Sequence, residues 1–353
     1  MVSAPTTGTP TTEATPTEAA TTEAPPPRRR GRTWPLVLAS YLAMIFALIT
    51  LNFLLPRFMP GDPITALVSR GSSTFLFGEE SRQQLEEFYG LDGSLLSQYG
   101  DYLGRLVQGD MGRSIGTNQP VTHEVGKALP WTFLLLTSSI LLSALIGSVL
   151  GVRAGWRRDK PADKFMVTGL LSLREFPQYL SGALLLYLVG VQLGWLPLGG
   201  AETSFTSYNF FERFVDVVRH AIMPVTVLTM GLTVGYYLVM RAGMVNELGS
   251  DYLLLGRAKG LRPRRLKYRY AARNAMLPVL SLTAVEVGVA VTASVLVERI
   301  FTYPGLGGLM LGALGARDYP VMQGAFLVFS VGVVTVNAVA DVVYRRLDPR
   351  ATI

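Results

Sequence analysis

The sequence contains no cysteine and only two histidines, His123 and His220. Disulfides, thiolate metal sites and cysteine nucleophiles are therefore excluded. Both histidines lie outside the long apolar runs, which leaves little from which to build a histidine-based metal or catalytic centre. Charge is scarce as well: 16% of residues are Asp, Glu, Lys or Arg against 49% hydrophobic, with mean hydropathy +0.34. That balance is too apolar for an ordinary soluble domain and typical of a chain that crosses a membrane repeatedly. No phosphate-binding P-loop, GxSxG elbow, HExxH or EF-hand loop occurs. A net charge of +7 could suggest nucleic acid. The basic residues, however, gather beside apolar runs, as they do at the cytoplasmic flanks of membrane helices, so no nucleic-acid partner is expected.

Six long apolar runs are present, at about 34–55, 131–152, 165–191, 221–244, 276–298 and 321–343. Each is long enough to cross a hydrocarbon core of roughly 30 Å as a helix rising 1.5 Å per residue. Lipid leaves helices as the available option, because backbone polar groups must be paired within the segment, and no alternating barrel strands appear. The expected fold is all-α, a polytopic membrane protein with six transmembrane helices. The Thr/Pro/Ala/Glu tract at 1–33 cannot bury a core and is expected to be disordered. Its polar length, and the length of the run that follows it, argue against a signal peptide.

Alternate connecting segments divide the Lys and Arg residues unevenly. The N-terminal tail, 153–164, 246–275 and 345–353 carry 20, while the longer 56–130, 194–220 and 300–320 carry 9. The positive-inside rule places both termini in the cytoplasm. The outer segment 56–130 is too long for a bare loop. Apolar periodicity predicts helices over 79–89 and 95–107, giving a helical extracytoplasmic insertion between the first two spans. It reads either as a cap over the helix ends or as a docking face for an external partner.

The most basic stretch is 251–273, DYLLLGRAKGLRPRRLKYRYAAR, with eight Lys or Arg residues against one acid. A short helix against the cytoplasmic face, ending near Gly260 and followed by a second basic helix, accounts for its mixture of apolar and charged residues. A basic amphipathic helix on anionic lipid is the competing reading. Three ionisable residues, Arg174, Glu175 and Glu286, fall nine or ten residues into apolar runs, roughly 14–15 Å deep. Charges at that depth face the bundle interior or a water-filled path. Arg174 and Glu286 are thus either a pair lining a pathway, with Gln178 beside them, or a buried pair that fixes helix register. Pro177 is expected to break the helix ladder there. The chain could be a transporter subunit or a stand-alone secondary transporter, although no repeat relates its halves. A membrane enzyme would need a nucleophile and base that are not apparent.

Ten fragments, in register with the six runs, resemble permease subunits of the dipeptide/oligopeptide class of ATP-binding cassette (ABC) importers. They are GDP at 61–63, YGLD with QYGDYL at 89–103, GDMGRS at 109–114, LGWLPLGG at 193–200 and HAIMPVTVL at 220–228. DYLLLGRAKGL at 251–261, RNAMLPV at 273–279, VERIFTYPGLG at 297–307, RDYPVMQG at 317–324 and DVVYRRLDPR at 341–350 complete the set. The resemblance covers about 35–350. It implies that 251–261 is the coupling helix that docks on a cytoplasmic ATPase, with Asp251, Tyr252, Leu253, Leu254, Arg257, Ala258, Lys259 and Gly260 as its residues. Tyr252, Leu253 and Leu254 would supply the apolar anchor, Arg257 and Lys259 the charged rim, and Gly260 the turn. It also implies two ATP-binding subunits carrying ATP and magnesium, a homologous second permease and an external substrate-binding protein, with no cofactor on this chain. The location implied is the cytoplasmic membrane of a prokaryote, and the cargo a peptide or, in the same class, an oligosaccharide, glutathione or a nickel chelate. Relatives usually carry a small polar and an apolar residue where this chain has Glu175 and Phe176, and lack an acid at the position of Glu286.

Overall fold

The computed structural model describes residues 34–58, 93–204 and 206–347, and the description below concerns these. The chain order is α1 (Trp34–Arg57), α2 (Leu95–Val107), α3 (Val121–Trp156), α4 (Pro161–Glu175) and α5 (Gln178–Leu185), which continues as the π-helical Leu186–Gln192. Then follow α6 (Phe210–Glu247), α7 (Asp251–Ala258) and a basic helix α8 in three pieces, Pro263–Arg265, the π-helical Leu266–Ala271 and Ala272–Ala275. The last three are α9 (Leu277–Ile300), α10 (Leu306–Ala316) and α11 (Tyr319–Leu347). Among the described residues the one extended pairing is an isolated bridge between Arg113 and Pro120.

Five helices, α1, α3, α6, α9 and α11, are long and apolar enough to cross a membrane. The third expected run, 165–191, is not one helix. α4 stops at Glu175, Phe176 is extended at φ −77°, ψ 119°, and Pro177 opens α5. Pro177 has no N–H to give and forces its predecessor out of the helical region, so the span is divided into two short helices near its middle. The boundary expected at 130/131 also moves, because α3 begins at Val121 and carries Pro130 inside it. The expected outer segment thus loses its last ten residues to a helix. Its predicted helix at 79–89 lies outside the described residues, while α2 occupies the second predicted stretch, with Ser94 capping the N–H of Ser97 at 3.3 Å.

The closest helix pair is α3 with α6. Ser139, Ser143, Gly147, Gly151 and Gly155 recur every four residues on α3 and are all buried. A Cβ built on Gly147, Gly151 or Gly155 would sit 2.6, 2.8 or 2.6 Å from the Cβ of Tyr236, Met240 or Met244. It would also lie 2.7, 2.8 or 2.9 Å from the carbonyl oxygen of Thr233, Tyr237 or Arg241. The two backbones therefore touch along three helical turns. Lipid supplies little hydrophobic drive between helices, so such small-residue contact is how they gain dispersion energy.

Polar pins fix the remaining helices. Arg241 on α6 donates from Nε and Nη2 to Asp163 Oδ1 and Oδ2 at 2.8 and 2.5 Å, a two-pronged bond from α6 to the first turn of α4. These hydrogen bonds, against the opposing effect of burial, hold the Asp163 carboxyl below the usual carboxylate range. On the other side of the membrane, the fully buried Glu298 accepts from Thr132 Oγ1 at 2.7 Å and from the Gly308 N–H at 3.0 Å. It closes the start of α10 against α3. Buried Asp318 accepts from Ser114 Oγ at 2.5 Å and the Gly116 N–H at 3.0 Å, tying the loop before α3 to the start of α11.

Gly151→Ala is expected to destabilise the purified protein by about 1–3 kcal/mol, since the methyl meets backbone rather than a movable side chain. Gly126→Ala, where a Cβ meets nothing within 4 Å, is the control for thermal unfolding. Equal melting of the two variants would rule out the backbone contact. Asp163→Asn should cost about 3 kcal/mol by leaving Arg241 without its partner. Because the folded-state value of Asp163 is depressed, its stabilisation is present above the unfolded carboxylate value of about 3.9 and disappears as pH falls below it. The melting difference between wild type and Asp163→Asn should therefore stay constant from pH 8 to about 5 and shrink below about 4. A difference that grows on acidification would contradict the pairing.

Candidate functional site: the projecting helix and the mid-membrane cluster

α7 is short, and its place is set by what surrounds it. Asp251 stands in its first turn, where the helix dipole favours an acid. The end follows a six-residue closing pattern. The Leu261 N–H donates to the Gly256 carbonyl at 3.1 Å and the Gly260 N–H to that of Arg257 at 2.9 Å. Gly260 adopts φ +70°, the left-handed conformation that this helix ending demands and that glycine takes without penalty. Gly256 also lies close against α8, where a Cβ would come within 2.6 Å of Leu266 Cδ2 and push that side chain aside.

The two faces of α7 differ. Leu253 is 0% exposed and joins Val152, Tyr236, Met240, Met244, Leu266 and Val279 in one apolar cluster. Tyr252 Oη donates to the Glu247 carboxylate at the end of α6 and accepts from Asn274 Nδ2 on α8 at 3.1 Å. Burial first, and then Glu247, push the Tyr252 phenol above its ordinary value, so it keeps its proton for that bond. Turned away from the bundle are Asp251, Leu254, Leu255, Arg257, Ala258 and Lys259, with Leu254 54% and Leu255 56% exposed. Leu253 and Tyr252, expected to anchor a partner, instead anchor α7 to its own chain. Leu255 joins Leu254 as the outward apolar surface. A four-residue apolar run does not reveal which member faces in; the position of Leu266 decides it.

Deeper in the bundle, two side chains lie on neighbouring turns of α6. Gln178, the first residue of α5, packs directly on Gly231, and Glu286 of α9 packs directly on Gly235. Any side chain at either glycine would displace the polar group facing it. Glu286 is 9% exposed. Arg174, at the end of α4 and exposed, lies within electrostatic range of Glu286 without forming a direct ion pair. Arg174, Gln178 and Glu286 are thus brought to one region beside the break at Phe176. Glu175 is exposed and makes no hydrogen bond or ion pair among the described residues. Nothing in the sequence marks Glu298, Thr132 and Asp318, or Gly231 and Gly235, as parts of these contacts. The four-residue recurrence of small residues was legible in α3, but a capping carboxylate at the end of an apolar run carries no pattern of its own.

The fold resembles that of an inward-facing MetNI methionine ABC transporter, with a TM-score of 0.52 at 13% identity, covering 64% of this chain and 96% of that one. In sequence, the chain is 34% identical over 313 residues to the oligopeptide transport system permease protein AppB of Bacillus subtilis (88% of this chain, 95% of AppB). It is 34% identical over 328 residues to the di/tripeptide transport system permease protein DppB of Pseudomonas aeruginosa (89% and 96%). The glutathione transport system permease protein GsiC of Escherichia coli K12 is 32% identical over 314 residues (88% and 96%). Residues 120–353 match the family described as the binding-protein-dependent transport system inner membrane component. With its apolar helices, the projecting α7 and a match across most of its length, the chain belongs to that family of multi-pass inner-membrane permeases.

Proposed function

We propose that this chain is the permease subunit of an ATP-driven peptide importer, passing peptides from an external binding protein to the cytoplasm. The observation that carries the reading is α7: a short helix bolted to α6 and α8 on one face and, on the other, presenting Leu254, Leu255, Arg257 and Lys259 to no other part of the described chain. An apolar pair rimmed by cations suits a cleft on a separate subunit. The chain itself supplies no hydrolytic motif, so ATP and magnesium belong to two such subunits, one docked at α7 and the other on the second permease. A second, homologous permease completes the pathway, and both termini lie in the cytoplasm. Closure of the ATPases moves α7, and the helix bundles rock between inward- and outward-facing arrangements.

Peptide is favoured by the oligopeptide and di/tripeptide permeases among the relatives. A glutathione-type cargo is the second reading, supported by the similarity to GsiC. The cluster of Arg174, Gln178 and Glu286 is assigned to the pathway or its lining. A buried acid held only by a distant guanidinium provides a place for a cationic amine or a polar backbone to replace that interaction.

Uptake of labelled dipeptides, longer peptides and glutathione by cells expressing the whole transporter tests the cargo. Peptide accumulation that depends on ATP is expected, and accumulation of glutathione alone would transfer the assignment to the second reading. Leu254→Glu, on an exposed position, should abolish co-purification of the ATPase and lower uptake at least about tenfold. Gly260→Pro should do the same, because proline cannot adopt φ +70°. Intact assembly and uptake in both variants would remove α7 from the coupling role. Glu286→Gln should lower uptake about tenfold while the ATPase still co-purifies. Unchanged uptake would reduce Glu286 to a packing residue.

A further inference from the structure

Membrane proteins keep Lys and Arg away from the outer face, and this chain has few there. Three of those few converge on a single cavity. Between the end of α1, α2, the loop before α3 and the start of α11 lies a pocket of about 410 Å³ whose lining includes Arg57, Arg105 and Arg113. The acid in its lining is Asp110, whose Oδ1 accepts the Gly112 N–H at 2.9 Å.

Neutral groups orient two of these cations. Arg57 lies 3.5 Å over the Phe53 ring, donates from Nε and Nη2 to Gln98 Oε1 at 3.1 and 3.0 Å, and from Nη1 to the Phe53 carbonyl at 2.9 Å. Arg113 Nη1 donates to the Asn118 carbonyl at 2.9 Å. Arg105 makes no side-chain hydrogen bond, and no carboxylate lies within 4.0 Å of any of the three among the described residues. Gln323, also in the lining, keeps a buried Nε2 without a partner. Three guanidiniums on separate elements, two of them held in place and none in contact with a carboxylate among the described residues, make an anion site.

We infer that this pocket receives an acidic side chain of the external substrate-binding protein, making it the electrostatic docking point on the permease. The inference rests on the proposed function for its partner and its side of the membrane. Apart from Gln323, its walls belong to residues beyond the apolar runs, including 110–113, Pro120 and Pro320, so its mouth stands at the membrane surface where a protein reaches it. The docked carboxylate is also connected to the bundle. The loop that carries Arg113 is pinned at Ser114 and Gly116 to Asp318, next to the first residue of α11. Docking is thereby transmitted to a transmembrane helix without any further loop.

The test uses the whole transporter in lipid nanodiscs and its own binding protein, with the dissociation constant measured against salt. Arg105→Glu and Arg113→Glu should each weaken binding at least about tenfold at low salt, and the difference from wild type should shrink as salt rises. Arg105→Lys should recover most of the loss. Lys127→Glu, exposed on the same side and outside the pocket, should stay within about twofold of wild type. Wild-type affinity in both reversals, or an equal loss in Lys127→Glu, would overturn the inference while leaving ATP-driven uptake, and so the proposed function, standing. An affinity that follows the anionic lipid content of the nanodisc in wild type, and loses that dependence in Arg105→Glu, would overturn it in favour of a lipid phosphate. Co-purification of the ATPases and a normal elution profile exclude misfolding of each variant.

Discussion

The close approach of α3 and α6 is the contact on which the other features depend. Gly147, Gly151 and Gly155 let the two backbones touch over three turns, and Ser139 and Ser143 extend the same stripe. Because apolar side chains find lipid as comfortable as each other, a transmembrane pair is held by fit and polar pins rather than by burial alone. α6 then serves as the mounting for nearly everything else. It receives Gln178 and Glu286 on Gly231 and Gly235, pairs with Asp163 through Arg241, and ends at Glu247, which holds Tyr252 of the projecting helix. A displacement of α6 relative to α3 would disturb all four at once.

The buried acids separate into two kinds. Asp163, Glu298 and Asp318 are each satisfied locally, by Arg241, by Thr132 with Gly308, and by Ser114 with Gly116. Their partners join different elements, so they act as staples. Glu286 differs, since among the described residues it accepts no hydrogen bond and its one cation stands at a distance. A largely buried carboxyl group without a protein hydrogen bond is costly unless water or another molecule supplies one. That contrast separates Glu286 from the staples and is the ground on which a pathway role is proposed for it.

The sequence discloses the features that composition and proline chemistry control. Apolar runs locate the spans, and Pro177 marks the break in the third because its missing N–H acts in any tertiary setting. The basic stretch at 251–273 gives the place of α7, and Gly260 its end. Less legible is anything that depends on a neighbour. Val121 to Pro130 reads as mixed polar sequence, yet it continues α3, since Val121 and Val125 pack on α10 and α11 in a shared cluster. Leu253 cannot be told from Leu254 by residue type, and only Leu266 and the surrounding cluster turn it inward. The anion pocket draws its three arginines from positions 57, 105 and 113, too far apart for any local pattern to connect them.

The path from α7 to the cluster at Glu286 is short and doubly supported. From Glu247 to Gly235 along α6 is twelve residues, and from Asn274 to Glu286 toward and along α9 is also twelve, each about 18 Å of helix. Both lines begin at the Tyr252 hydroxyl and end at the contact of Glu286 with Gly235. No proline interrupts the α6 portion, as its internal proline, Pro224, lies beyond Gly235. Proline 278 on the other line stands in the first turn of α9, where its missing N–H costs nothing. If α7 has the coupling role proposed for it, its tilt would reach Glu286 through two lines at once. If both swing together, the glutamate keeps its seat on Gly235. If they shear, the carboxyl group slides off Gly235, whose missing side chain makes room for it. On the function proposed above, the contact of Glu286 with Gly235, which has no side chain, is where motion of α7 would reach the pathway.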